Sequence, residues 1–385
     1  MILRYESWGA WIKLEKIAAL VALDRDGVRA LGFDGGRAWN EQSSRVSAPI
    51  ELHLAVTSRC AAGCENCYMD AKPDGAEPPR ETIERALDAL RDAGVFTVAF
   101  GGGEPTLRDD LGALAEAARA RGISPVVTTS GLGINDKRLS DLTRFAQVNV
   151  SYDGPSDAYA KVRGFDGSRG AESTIRRLAD AGVAVGVNVV LVRDTFDATE
   201  DTVRRARQLG AREVQLLRYK PGGRARSLEY LSKRLSPAQA RTLGPLVRRL
   251  TETHGDAMRV RIDCALVPFL SADPTLTSRP SELARWGVLG CEAGAALASA
   301  RVDGKVAGCS FARPTSLLVE NLRSGWAHEE GLAAFRNYAR APSEPCNTCT
   351  LREVCRGGCK IVSDFTDGVI GPDPECPRVI DWTTP

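Results

Sequence analysis

The sequence predicts an α/β protein, a parallel sheet with helices outside it, followed by a smaller cysteine-rich domain. Three observations carry that expectation. Between residues 50 and 218, apolar strand-like runs alternate with helix-like segments through six units. The distinctive short segments fall at the carboxyl ends of those runs, where parallel α/β proteins bind ligands. From about residue 256 the strand–helix rhythm stops and cysteine density rises.

The elements follow in order. Residues 1–48 hold short apolar stretches, Trp11–Leu14 and Ala19–Leu23, between charged and Gly-rich turns. They read as a small, mainly β extension, too short for a complete winged-helix peptide-recognition domain. Gln42–Pro49 is the expected linker. The alternating run Ile50–Val56 predicts a strand. A helix is expected from about Pro79, with Ile83, Leu87 and Leu90 on one face. Further strands are expected at 97–100, 125–130, 147–152, 184–192 and 213–218, with helices at 109–121, 170–182 and 199–209 and a short one after residue 130. A basic helix from Ser236 to Thr253 leads to the last part. The predicted division is 1–48, 49–255 and 256–385.

Composition excludes several classes. A chain of 385 residues with 43% hydrophobic and 26% charged residues is an ordinary globular protein with room for two cores. Net charge of +2 points to no nucleic-acid or membrane surface. No apolar run reaches the length of a membrane span, and Met1–Glu6 lacks the pattern of an export signal. Eleven cysteines is the outlying count: odd, and without a signal, it argues for reduced, metal-bound thiols in the cytoplasm. The count divides as three, four and four.

Cys60, Cys64 and Cys67 stand at C-x3-C-x2-C directly after the first strand of the series. Thiolates so close in a Gly-containing loop converge on a metal site. Three thiolates leave one iron of a 4Fe–4S cluster open to an outside ligand. With Tyr68 following, this segment resembles the cysteine loop of the radical SAM enzymes. The resemblance implies a partial (β/α)6 TIM-type barrel and S-adenosylmethionine chelated to the open iron. One electron then cleaves the sulfonium, and a 5′-deoxyadenosyl radical abstracts a substrate hydrogen.

It also implies cofactor contacts. Gly101-Gly102-Gly103-Glu104-Pro105, after the second strand, resembles the family segment that binds the methionyl amino group. Thr128, Thr129 and Ser130 offer hydroxyls near the ribose. Ser151 and Asp153 resemble the family's S-x-D-G segment, and Arg163 the arginine that pairs with the cofactor carboxylate. Asn188 and Val190 lie where the family contacts ribose and adenine. Tyr219–Ala225 resembles a segment of the subgroup with extra clusters, and Arg218 is expected to face the substrate cavity or the cofactor. Read without the resemblance, each of these polar residues is a strand-end cap or a solvated side chain.

The distal cysteines form C-x12-G-x4-C (Cys291, Gly304, Cys309), then C-x2-C-x5-C-x3-C (Cys346, Cys349, Cys355, Cys359), then Cys376. A hairpin with its turn at Asp303-Gly304 brings Cys291 and Cys309 together. The pattern resembles the SPASM domain, which implies two auxiliary 4Fe–4S clusters. One would use Cys291, Cys309 and Cys359, the other Cys346, Cys349, Cys355 and Cys376. Cys264 is the remaining cysteine and the candidate fourth ligand of the first; packing as a buried free thiol is its alternative. His53, His254 and His328 are scattered and read as structural or solvated.

The expected function is modification or crosslinking of a residue in a ribosomally made peptide or protein, with a flavodoxin- or ferredoxin-type reductant. The runner-up keeps the chemistry on a small molecule such as a tetrapyrrole. A plain electron-transfer protein would not need the three-thiol site.

Overall fold

The computed structural model describes residues 1–14, 19–40, 46–285 and 287–383. The first half of the expected linker, residues 42–45, lies outside them.

The amino-terminal part is a three-stranded antiparallel sheet, β1 (Ile2–Glu6), β2 (Gly9–Leu14) and β3 (Ala19–Asp24), closed by the helix Arg25–Ala30. Ala10, Val28 and Trp39 form its small core. Arg4 fastens it to the main body: the guanidinium donates to Pro49 O at 3.0 Å and Gly94 O at 2.9 Å, pairs with Glu6 and lies over Phe96.

The main sheet runs β10-β9-β8-β7-β6-β5-β4-β11-β12. Its strands are β4 (Glu51–Thr57), β5 (Thr97–Gly102), β6 (Ser124–Thr129), β7 (Gln147–Ser151), β8 (Val185–Leu191), β9 (Glu213–Arg218), β10 (Arg259–Ile262), β11 (Leu297–Ala300) and β12 (Val306–Ala307). β4 to β10 are parallel in sequence order, β11 pairs parallel with β4, and β12 returns antiparallel. The six expected strands are β4 to β9. The turn of the β11–β12 hairpin is at Asp303-Gly304, where Gly304 has φ +79°. Two elements differ from expectation. β10 is a seventh parallel strand, and β10 to β12 carry the sheet across the boundary expected at residue 255. An additional helix, Ser156–Arg163, precedes Ser168–Asp180 and ends on the candidate Arg163.

Period-two alternation sorts the strand residues. Leu52, Leu54, Val98, Phe100, Val127, Val148, Val150, Val187, Val214 and Leu216 are buried with helix residues such as Leu87 and Leu90. The opposite face carries Glu51, His53, Gln147, Asn149, Asn188, Glu213 and Gln215, mostly half-buried and polar. The sheet therefore has an oily outer face and a wet inner one. Leu87, fully buried in helix Arg80–Ala93, is expected to cost about 2–5 kcal/mol of stability as Leu87→Ala. Urea unfolding with an unchanged slope is the check. Among the described residues no helix is long and apolar enough to cross a membrane.

Candidate active site

The site lies at the carboxyl ends of β4 to β8. The cysteine loop after β4 is pinned by its backbone: Cys60 N donates to Lys72 O, Gly103 N to Thr57 O and Glu104 N to Arg59 O, all at 2.7–2.8 Å. The glycines of the β5 loop serve this contact. A Cβ on Gly103 would meet Arg59 O at 2.1 Å, and one on Gly102, at φ +116°, would meet Thr57 O at 2.1 Å. Around Gly101 a Cβ meets nothing within 4 Å, so this position faces open space. From the far side Arg224 clamps the loop, with Nη2 at 2.7 Å from Cys64 O and its own N–H donating to Cys67 O. The three thiols share one neighbourhood: burial foremost pushes the Cys60 thiol up, and the charges of Glu104, Cys64 and Cys67 add to it.

Glu104 is buried and fully engaged. One carboxylate oxygen accepts from Thr106 N, Thr106 Oγ1 and Thr129 Oγ1, the other from Ser130 N at 2.7 Å and Ser130 Oγ at 2.6 Å. Two of the hydroxyls expected near a ribose, those of Thr129 and Ser130, are thus turned onto Glu104, which organises β5 and β6 into one rim. Pro105 is buried at the start of a short 3-10 turn and shapes the loop rather than offering a polar contact.

Asp153 is a second hub. Its Oδ1 accepts from Val190 N at 2.7 Å and its Oδ2 from Arg163 Nε at 2.6 Å. Arg163 meets Asp153 through Nε, and the guanidinium lies within electrostatic reach of Cys64. Ser151 pairs in register with Asn188, whose Oδ1 is buried without a partner among the described residues. An open glycine, an unpartnered amide oxygen and a held guanidinium at one strand-end rim suit a polar ligand with an ammonium, hydroxyls and a carboxylate.

Tyr68 stacks on Phe311, ring centroids 4.8 Å apart. Lys220 Nζ lies 4.5 Å from the same ring centroid and 2.6 Å from Asp263 Oδ2. These contacts join the cysteine loop to the distal region, and no local pattern announces them.

Arg218 departs from expectation. It is buried away from the rim and bonds Asp373 and Glu375, as its place at the end of a buried strand requires a charged partner. His53 is structural, as read: it stands on the wet face of β4, Nε2 at 2.9 Å from Glu51 Oε1 and Nδ1 at 3.0 Å from Ser310 Oγ. Burial alone would raise the Glu51 carboxyl, but the His53 hydrogen bond and the His53 and Arg261 charges hold it below its usual value.

None of the eleven cysteines is in a disulfide. The distal eight separate into two groups. Burial foremost raises the Cys264 thiol, with Asp263, Cys291 and Cys359 adding. It pushes Cys309 to about 11, again with Cys291 adding. Burial pushes Cys359 to about 12; Arg218 and Lys220 oppose that rise, and Asp373 and Cys291 add to it. Cys346, Cys349, Cys355 and Cys376 line a single cavity together with Asp373. Cys346 is pushed to about 11 by burial first and then by Cys376. Buried thiols that burden one another with charge are relieved when cationic metal enters between them, so both donor sets fit iron–sulfur clusters chemically. Among the described residues, no three such donors converge as a single ion would require.

The sequence profile of the Radical SAM superfamily matches residues 54–206. Mycofactocin maturase MftC of Mycolicibacterium smegmatis is 28% identical over 358 residues, covering 90% of this chain and 86% of that protein. PqqA peptide cyclase of Ruegeria pomeroyi is 26% identical over 352 residues, covering 87% and 89%. Streptococcus suis SuiB bound to its precursor peptide SuiA superposes with a TM-score of 0.75 at 18% identity, covering 97% of this chain and 98% of that one. The anSMEcpe structure with bound AdoMet and a peptide gives 0.64 at 19% identity, covering 86% and 98%.

Proposed function

We propose that the chain is a radical SAM enzyme that oxidatively modifies or crosslinks a residue of a ribosomally made peptide, using two auxiliary clusters in the distal region. The observation that carries this reading is the division of the thiols into three at the strand-end rim and two distal groups of four. Names of similar proteins, a maturase and a peptide cyclase, favour a peptide over a tetrapyrrole.

A cluster with S-adenosylmethionine held at the rim would supply radical hydrogen-abstraction chemistry there. The chain's own residues do the rest. Cys60, Cys64 and Cys67 hold the cluster in a loop that Arg224 fixes. Arg163, oriented by Asp153, takes the cofactor carboxylate; the open Gly101 edge and Asn188 take its polar groups; Ser151 and Val190 flank the sugar and base. Glu104, Thr129 and Ser130 act by holding the rim rigid, and Tyr68 with Phe311 walls it from the distal side. The wet inner face of the sheet receives the substrate residue, held close to the cofactor and shielded from bulk water. Cys264 completes the first auxiliary set with Cys291, Cys309 and Cys359. So many free thiols suit the reducing cytoplasm and a flavodoxin- or ferredoxin-type donor.

Anaerobic reconstitution tests the reading. About twelve irons per chain are expected, with 5′-deoxyadenosine released on reduction. A short peptide encoded beside the gene should lose hydrogen mass in the same assay. About four irons would remove the auxiliary clusters; a porphyrin that co-purifies and is turned over would favour the small-molecule reading.

A further inference from the structure

Arg218 is a heavily committed side chain outside the candidate cofactor rim, with four hydrogen bonds from its two Nη groups. It leaves the end of β9 and is buried to 3% exposure. Its Nη1 donates to Ala265 O at 2.9 Å and to Asp373 Oδ2 at 2.5 Å, and its Nη2 donates to Asp373 Oδ1 at 3.0 Å and Glu375 Oε2 at 2.8 Å. The Phe269 ring lies beneath it at 4.6 Å.

Each acceptor sits beside a thiol of the distal groups. Ala265 follows Cys264, and Glu375 precedes Cys376. Asp373 Oδ2 also accepts from Cys359 N at 2.9 Å, and its Oδ1 from Glu375 N at 3.1 Å. Gly358 makes room: a Cβ there would come within 2.4 Å of Asp373 Cβ. Glu375 is secured in turn by Tyr230 Oη at 2.6 Å and Arg234 Nη1 at 2.9 Å. One guanidinium of the barrel therefore ties down segments bearing Cys264, Cys359 and Cys376, which belong to both thiol groups.

We propose that Arg218 is a positioning residue for both auxiliary sites and, as the buried cation between them, raises their reduction potentials. This rests on the reading that the distal thiols hold clusters. The physical case is direct. The fork is planar and rigid, so it fixes two chain segments directly and, through Asp373, a third, with a geometry that a point-charge ammonium does not match. A reduced cluster carries one more negative charge than an oxidised one, so a neighbouring buried cation favours reduction. Losing it leaves Asp373 and Glu375 undercompensated and shifts the balance toward the oxidised form.

The test uses the full-length chain with Arg218→Gln and Arg218→Lys, the latter keeping the buried charge so that folding is preserved. The first readout is iron-free: timed alkylation of the reduced apo-protein, read cysteine by cysteine by mass spectrometry. Alkylation of Cys264, Cys359 and Cys376 is expected to speed up about tenfold or more in both variants, with Cys60 unchanged. The second readout is a potentiometric titration of the reconstituted clusters followed by electron paramagnetic resonance. Arg218→Gln should titrate at more negative potential and Arg218→Lys near the parent value. Alkylation rates equal to the parent in both variants would overturn the positioning role. Parent potentials in Arg218→Gln would overturn the electrostatic one. A parent protein holding only about four irons would instead sink the auxiliary-cluster reading and with it the potential, while the alkylation pattern still decides the positioning role.

Discussion

Cys60→Ala is expected to reduce 5′-deoxyadenosine formation to background and to lower reconstituted iron from about twelve to about eight per chain, with the fold intact. Cys60 stands in an irregular loop whose hold on the body comes from backbone contacts, the Lys72 and Arg59 carbonyls among them, and from Arg224. None of these is made by the thiol. The substitution therefore removes a ligand without removing the loop, and thermal unfolding of the apo-protein should move little. Cys264→Ala is the informative partner, because it should leave the three-thiol cluster and its cleavage reaction in place while reducing iron at a distal site. Unchanged deoxyadenosine formation in Cys60→Ala would refute the assignment of the reacting site.

Glu104→Ala should have the second largest effect, and on two measurements together. The carboxylate accepts five hydrogen bonds from Thr106, Thr129 and Ser130. Its removal orphans two backbone N–H groups in a buried rim, an expected loss of about 2–4 kcal/mol in denaturant unfolding. It also frees the β6 end from the β5 loop, so affinity for S-adenosylmethionine should fall at least about tenfold by calorimetry. Glu104→Gln keeps the shape but turns an amide donor toward donors that the carboxylate accepted, so it should lie between. A stable Glu104→Ala variant with parent affinity would contradict the role of the rim.

Legibility in the sequence follows the range of each interaction. β4 to β9 are readable because strands with one oily face bury Val, Leu and Phe in regular alternation, and the cysteine groups because their spacing is local. β10 is missed since Arg259-Val-Arg-Ile262 offers only two apolar positions. The helix Ser156–Arg163 is missed because Tyr159 and Val162 are its only buried residues, too few to set a helical period. Arg218 is misjudged for a different reason. Its partners lie 155 and 157 residues downstream, and nothing near it in the chain foretells them. The contact between His53 and Ser310, 257 residues apart, is equally unannounced, although the reading of His53 as structural stands. Side chains whose partners are distant in sequence look identical, from sequence alone, to solvated ones.

The pairing of β11 with β4 has a consequence for how the molecule can be handled. Leu297 to Ala300 lie in register beside Glu51 to Leu54, so the cysteine-rich segment is a covering strand for the first strand of the barrel. A chain cut after residue 255 would not release an autonomous catalytic module. It would bare a row of unpaired N–H and C=O groups on β4, an edge that invites sticking to other copies. Grafting the distal half of a relative onto this barrel succeeds only if the graft restores that edge in the same register.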